Sequence, residues 1–343
     1  IKIKPGIRVL VNFNHKEIVG YVTNVIYVDK TLEEYQKDSI YVIKEVSKII
    51  DDEPLLNDEL QELALKLSSY YFASLISVYQ SMLPPSLKPK KSSLSKPKIQ
   101  YETWVRLLSD SEDELTAKQV ECLRLIKANK EVLKSELKPH IVKALDEKGK
   151  IDFFSKEKIR LIQEDVIKTD DFSLNNEQKL ALDSICYDDY KTYLLEGVTG
   201  SGKTEVYLQA ARYFIDQGKS VLMLVPEISL THQMVKRFKQ RFDNIAILHS
   251  ALTPGEKYDE YRRISQNKVN VVVGARSAIF APLSNIGLII IDEEHVETYK
   301  QDVEPFYHAL KVALFRQEYH QCKIILGSAT PSLETKTRAL KGI

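Results

Sequence analysis

The rhythm of apolar and polar positions changes several times along this chain. Near the start, Arg8-Val-Leu-Val-Asn-Phe and Ile18-Val-Gly-Tyr-Val-Thr-Asn-Val-Ile-Tyr-Val are dense in β-branched and aromatic residues and predict strands. Gly20, inside the second run, predicts a bulge or a close backbone approach. From Asn57 to Tyr79 the period becomes helical: Leu60, Leu63, Leu67, Tyr70 and Tyr71 recur at three- and four-residue steps and predict a helix packed on a small barrel. Pro84 to Lys98 holds Pro84, Pro85, Pro89 and Pro97, several serines, and Lys88, Lys90, Lys91, Lys96 and Lys98 with no acid among them. Such a stretch cannot bury a core. It reads as a linker, either a solvated tether or a basic strap that touches phosphates.

Helical patterns return at Ala117–Asn129, Glu131–Leu137 and Lys138–Glu147, followed by Lys148-Gly-Lys-Ile-Asp-Phe-Phe. Gly149 suits a left-handed helix cap. Three short helices and a hairpin-like tail predict a winged helix, a module that lays its third helix on DNA or bridges domains.

From about Asp171 short apolar runs alternate with amphipathic stretches. The expected strands are Thr192–Leu195, Ser220–Val225, Ile245–Leu248, Val269–Val273, Leu288–Ile291 and Lys323–Leu326. Glu205–Gln217, Ile228–Arg241 and Pro254–Ser265 read as helices between them. That alternation predicts a doubly wound parallel sheet with its chemistry at the strand carboxyl ends. The expected fold class is multidomain α/β, divided at residues 1–100, 101–170 and 171–343.

Composition narrows this reading only slightly. The 343 residues carry 49 Lys and Arg against 48 Asp and Glu, a net charge of +1 that argues neither for nor against nucleic acid. Cys122, Cys186 and Cys322 lie far apart, which excludes a disulfide scaffold and a local zinc knuckle and fits a reducing compartment. With no long apolar run and no secretory signal, the expected location is the cytoplasm, away from membranes. The chain opens without Met, in a strand-like pattern, and stops soon after a motif usual in mid-protein, so it reads as a fragment.

The chemistry gathers at the ends of the expected strands. Gly197-Val198-Thr199-Gly200-Ser201-Gly202-Lys203-Thr204 follows one strand and opens a helix, the setting of a phosphate-binding loop. Backbone N–H groups and the helix dipole favour phosphate there, Lys203 can reach the β- and γ-phosphates, and Thr204 can meet Mg2+. A glycine turn with an exposed lysine shares the spacing but not the flanking strand and helix. Leu288-Ile-Ile-Ile291 ends in Asp292-Glu293-Glu294-His295. Asp292 suits the magnesium shell and Glu293 a base or water-orienting role. Pro226 to Thr231 and Arg276-Ser277 stand where helix amides, hydroxyls and a guanidinium could hold a phosphodiester backbone. Gly327-Ser328-Ala329-Thr330 is expected beside the acidic turn, its hydroxyls linking nucleotide state to bound strand.

Together these motifs resemble helicase superfamily 2. Val198 to Tyr207, Leu224 to Thr231, His249-Ser-Ala-Leu-Thr253, Gly274 to Phe280, Asp292 to His295, Phe306-Tyr-His-Ala309 and Gly327 to Ser332 are similar, more closely, to the PriA family of bacterial replication-restart helicases. Upstream, Asp52 to Leu56, Tyr70-Tyr71 and Met82 to Pro85 resemble the family's 3′-DNA-end-binding domain, and Leu115 to Gly149 its winged helix. The resemblance implies a small β-rich DNA-end-binding domain, a winged helix and a RecA-like first helicase lobe. It implies ATP-driven 3′→5′ unwinding at stalled or repaired forks, followed by reloading of the replicative helicase.

By the same resemblance Gln178 reads the adenine, and Gly20 and Lys44 line the 3′-end pocket. The stretch from Tyr299 and Lys300 to Phe306, Tyr307 and His308 relays strand binding to the ATP site, with His295, Gly327, Ser328 and Thr330 as coupling residues. The other reading of the aromatics is interdomain packing. Implied partners are forked and single-stranded DNA, single-stranded-DNA-binding protein, and primosome and helicase-loader proteins. His232 stands where the family usually has Pro, and the family has an arginine near Leu310. A second lobe, its arginine finger and a zinc module lie downstream in family members, so the chain alone is expected to hydrolyse ATP poorly. A fork-binding module without catalysis, or another superfamily 2 translocase, are the competing readings.

Overall fold

The computed structural model describes residues 3–89, 94, 97–161, 166–189, 191–229 and 232–342, the side chains of Asp38 and His232 excepted. These residues form two compact units, 1–96 with 164–343, and 97–163.

The larger unit opens with β1 (Arg8–Phe13), β2 (Lys16–Tyr21), α1 (Leu32–Asp38) and β3 (Val46–Ile49), the strands forming an antiparallel sheet in the order β2-β1-β3. Arg8 and Asp51, both fully buried, tie the sheet's floor: Arg8 Nε donates to Asp51 Oδ2 at 2.8 Å and Nη2 to Oδ1 at 2.9 Å. β2 runs only to Tyr21, shorter than the apolar run suggested. Gly20 forms no bulge there; its pairing with Val9 is regular, and the irregularity falls instead on β1 opposite β3, between Leu10 and Val11. The expected helix over Asn57–Tyr79 is two helices, α2 (Asp58–Tyr71) and α3 (Leu75–Met82). Phe72, in the left-handed region at φ 51°, ends the first, and Ser74 caps the second.

The smaller unit holds β4 (Gln100–Leu107), α4 (Ala117–Asn129), β5 (Glu131–Leu133), α5 (Pro139–Glu147) and β6 (Ile151–Lys158), with strand order β5-β4-β6. Val105, Leu123, Ile126, Val132, Leu137, Ile141, Val142, Leu145 and Ile151 form its own core. Glu131–Leu137 is therefore not a helix. Its first three residues pair with Arg106, Val105 and Trp104, and the rest make a single 3-10 turn. The tail is not a hairpin either, because β6 pairs along its whole length with β4, which the sequence reading missed. Gly149 does take the left-handed conformation just past α5.

The rest of the larger unit alternates as expected. It runs α6 (Asn176–Tyr187), β7 (Thr192–Glu196), α7 (Lys203–Asp216), β8 (Ser220–Leu224), α8 (His232–Arg241), β9 (Ile245–Leu248), α9 (Pro254–Ser265), β10 (Val271–Gly274), β11 (Ile286–Ile291), α10 (Ala309–His320), β12 (Lys323–Ser328) and α11 (Leu333–Lys341). Six parallel strands lie in the order β7-β12-β11-β8-β10-β9. Along β8, Val221 and Met223 point into a core with α7 and α8, while Leu222 and Leu224 point into the opposite one with α10, α2 and α3. That alternation buries the sheet on both faces. It also fuses the amino-terminal helices to one side of the sheet. Tyr261 donates to Leu55 O at 2.6 Å across that junction, and within the amino-terminal part Tyr21 donates to Leu87 O at 3.0 Å.

Candidate nucleotide site and strand interface

The glycine loop leaves the edge strand β7, and the acid pair leaves β11, with β12 between the two. Both border a cavity of about 540 Å³ lined by residues Thr199 to Glu205, by Asp292 and Glu293, and by Phe172, Arg237 and Arg241. That volume lies in the range of small-molecule sites. Gly202, at φ 85°, caps α7 from the left-handed region, and a Cβ there would stand 2.3 Å from Gln178 Nε2. Gln178 Nε2 donates to Ser201 O at 2.8 Å, and its Oε1 accepts the Asn175 N–H at 2.9 Å. Gln178 thus clamps the loop, and both ends of its amide are engaged. Lys203 Nζ donates to Gly197 O at 2.6 Å, so the ammonium rests on the loop's own carbonyl. Thr204 is half-buried beside it.

Asp292 is 9% exposed, and burial pushes its carboxyl above the usual range against the hydrogen bond from Tyr207, whose hydroxyl donates to Oδ1 at 3.0 Å. Glu293, in the left-handed region at φ 48°, turns back toward His295, with Nδ1 3.8 Å from Glu293 Oε2. A cradle of backbone N–H groups, one lysine, one hydroxyl and two carboxylates fits a magnesium-bound nucleoside triphosphate.

Gly327-Ser-Ala-Thr does meet the acidic turn, one or two residues later than the acid pair. Glu294 N–H donates to Gly327 O at 3.0 Å. Ser328 Oγ and His295 Nδ1 share a hydrogen bond of 2.7 Å, and Thr330 Oγ1 lies 3.5 Å from His295 Nε2. The Glu294 carboxylate, which the sequence reading left without a role, accepts from Ser332 N at 2.8 Å and from Thr335 Oγ1 at 3.0 Å.

The expected strand-contacting residues are less uniform. Pro226 is buried after β8, and Thr231 lies outside the described residues. Arg276 Nη1 donates to Thr298 O at 3.1 Å and to Lys300 O, with its guanidinium 5.9 Å above the Tyr307 ring. Arg276 is therefore occupied in pinning the loop that follows the acid turn. Ser277 lines a separate cavity of about 220 Å³ with Ser81, Lys88, His249 and Lys257. In the loop, Lys300 is exposed, Phe306 is 52% exposed and His308 is half-buried. Tyr307, 1% exposed, packs edge-on against Phe280 at 4.9 Å. Of the two rings, only Phe306 is open to solvent. Gly20 on β2 and the exposed Lys44, just before β3, are separated by β1, so they flank the same strand from opposite sides.

Sequence reasoning gave Tyr207 no role of its own and placed Tyr299 only at the start of the relaying loop, without its bond to the acid turn. Tyr207 stands four residues after Lys203, on the same face of α7. That spacing was a usable signal. Tyr299 donates to Asp292 O at 2.6 Å.

The DEAD/DEAH box helicase family model matches residues 175–339, and the 3′DNA-binding domain (3′BD) model matches residues 1–84. The parallel-sheet part of the larger unit is a helicase-type lobe, joined to a small β-rich domain of the 3′-DNA-binding kind. Replication restart protein PriA of Bacillus subtilis is 38% identical over 99% of this chain and 51% of its own length. The Haemophilus influenzae protein of the same name is 32% identical over 100% of this chain and 48% of its own length. That of Synechocystis is 48% identical over 57% of this chain and 24% of its own. The chain belongs to the PriA family, and it spans about half the length of the relatives it matches end to end.

Proposed function

We propose that this chain provides the nucleotide-binding lobe and the DNA-recognition domains of an ATP-dependent 3′→5′ DNA helicase. Its task is to recognise stalled or repaired forks and start replication restart by helping to reload the replicative helicase. The shared cavity between the glycine loop and the acid pair carries this reading.

In it, the loop's N–H groups and the α7 dipole hold the β- and γ-phosphates. Lys203 exchanges the Gly197 carbonyl for a phosphate oxygen, a short move for a flexible side chain already at the loop. Thr204 and Asp292 would hold magnesium, which when bound neutralises phosphate charge. The raised proton affinity of buried Asp292 suits a carboxylate meant to sit beside a cation. Glu293 orients water and accepts its proton. Gln178 releases one of its two bonds to meet the adenine. Hydrolysis reaches the strand side through His295, Gly327, Ser328 and Thr330, and through Tyr299. Ser277, Lys300, Phe306 and His308 meet the strand, Phe306 by stacking without sequence preference, while Arg276 holds the loop that presents them.

Residues 1–100 take the 3′ end, with Gly20 and Lys44 at its pocket, and 101–170 act as a winged helix. Forked DNA, single-stranded-DNA-binding protein and primosome proteins are the partners, and the cytoplasm is the compartment. In the full-length protein, Lys203→Ala should abolish phosphate release while fork affinity stays within about threefold, because a phosphate point charge is lost without disturbing the other domains. Unchanged turnover would refute the assignment of the loop.

A further inference from the structure

The loop from Lys300 to His308 is held from two sides. Lys300 and His308 pair across its base, Gln301 N–H donates to Tyr307 O at 2.8 Å, and Phe306 N–H donates to Val303 O at 2.8 Å. Toward the nucleotide cavity, Tyr299 grips Asp292 O and Arg276 grips Thr298 O and Lys300 O. On the opposite side the amino-terminal helices take hold. Glu304 Oε1 accepts the Ser74 N–H at 2.7 Å and the Ser77 hydroxyl at 3.0 Å. The Tyr71 hydroxyl accepts the His308 N–H at 3.0 Å. Gln301 Nε2 lies 3.5 Å from Ser81 Oγ.

These contacts are specific in kind. Ser74 is the N-cap of α3, so Glu304 places its charge at the positive end of that helix dipole. The Ser74 N–H, with the Ser74 and Ser77 hydroxyls, holds the Glu304 carboxyl below the usual carboxylate range. Tyr71 is the last residue of α2. Both helix ends that meet at the break around Phe72 therefore hold the loop, one at its middle and one at its return. The tip residue Phe306 is left facing solvent.

We infer that Glu304 and Tyr71 are positioning residues through which the end-binding domain sets the loop, so that a DNA 3′ end bound at residues 1–84 and a strand bound at the loop alter each other's affinity. The inference rests on the functional reading above, in which residues 1–100, matched over 1–84 by the 3′-DNA-binding domain model, take the 3′ end and the loop meets the strand. Linkage makes the effect reciprocal: whatever factor the end adds to strand binding, the strand adds to end binding. The physical route is short. A shift of α2 and α3 moves Glu304 and the His308 backbone directly, and the loop's other flank is bonded to the Asp292 carbonyl.

The test uses the full-length protein and two otherwise identical forks, one with a leading-strand 3′ hydroxyl and one with that end blocked by a 3′ phosphate. The variants are Glu304→Gln, Tyr71→Phe and the pair together. In the pair, affinity for a short 3′-ended oligonucleotide should stay within about twofold, while the preference for the unblocked fork in DNA-stimulated ATP hydrolysis should fall at least about fivefold, the low end of typical coupling between two sites. Without DNA or nucleotide, the His308 amide should exchange its hydrogen at least about tenfold faster, since it loses the Tyr71 hydroxyl as its acceptor. A wild-type preference that survives intact in the double variant overturns this inference alone. Absence of any preference in the wild type removes the end-binding reading and the inference with it.

Discussion

Tyr207 shows how closely the residues around the acid pair are fitted. Its ring is fully buried, its hydroxyl meets Asp292 Oδ1 at 3.0 Å, and a Cβ added at Gly327 would stand 1.7 Å from that hydroxyl. Glycine is required at 327 by this approach, since its φ is ordinary. Gly327→Ala should therefore push Tyr207 off Asp292 and cost about 1–3 kcal/mol, the usual penalty of overpacking. Tyr207→Phe in the same background should recover part of that loss, because it removes the colliding oxygen. Urea unfolding of the four proteins in the cycle measures the coupling, and a neutral Gly327→Ala would contradict the packing argument. His308 gives a prediction in pH. Its Nδ1 accepts the Leu310 N–H at 3.2 Å as the cap of α10, and burial lowers the ring's proton affinity below the ordinary histidine value. The unfolded chain then binds the proton more readily, so the stabilisation is present above the ordinary histidine pKa and is lost as pH falls through it toward the lower folded value. The urea midpoint should drop between about pH 7 and about pH 5, and the drop should be smaller in His308→Asn, which can still cap the helix.

At the scale of elements, α2 and α10 are locked by a buried ion pair. Arg316 Nε and Nη2 each donate to Glu59 at 2.8 Å, and Nη1 donates to Ile279 O at 2.8 Å and Ala281 O at 3.1 Å. Burial alone would raise the Glu59 carboxyl, but Arg316 and His320 outweigh it and hold it below the usual range. Glu59→Ala leaves a buried guanidinium half-partnered and should cost about 3–5 kcal/mol. Replacing both, Glu59→Leu with Arg316→Met, should cost less than the single change, because no charge is stranded. A larger loss in the pair than in Glu59→Ala, read from urea midpoints, would count against that view. This lock also shows what the sequence could and could not reveal. The six parallel strands were legible because branched apolar runs between amphipathic stretches have few other uses, and the glycine loop was legible because its chemistry is contiguous. The pair Glu59–Arg316 is 257 residues apart in the chain, and Tyr207–Asp292 85 apart, so no local pattern marks them. Phe72 ends α2 without the glycine that usually announces such a stop. In Glu131–Leu137, leucines at a helical step obscured a strand that forms only because β4 lies beside it. β4 itself, with Tyr101, Thr103 and Val105 alternating along it, was legible in principle but was overshadowed by the lysine-rich stretch before it.

Among the described residues there are three apolar cores, one on each face of the parallel sheet and one wholly within residues 97–163, and this bears on how the protein should unfold. Residues 97–163 surround Val105, Leu123 and Ile126 with their own apolar shell, while the amino-terminal helices share one core with a face of the parallel sheet. Cutting the chain near residue 170 to separate fork recognition from hydrolysis would therefore divide that shared core and strip Arg316 of Glu59. A gentler dissection is available because the chain has a single tryptophan, Trp104, and it lies on β4 in the smaller unit. Its ring sits under the Lys156 ammonium at 4.6 Å, an environment that disappears when β4 and β6 separate. Tryptophan emission thus reports the smaller unit alone, whereas far-ultraviolet circular dichroism is dominated by the helices of the larger one. Two units with no core in common are expected to melt as two cooperative steps and not as one. In urea, Glu59→Ala should move the dichroism transition to lower denaturant by the equivalent of about 3–5 kcal/mol and leave the emission transition where it was. If both signals shift together, the two units share stability, and the separation of cores does not govern how the protein comes apart.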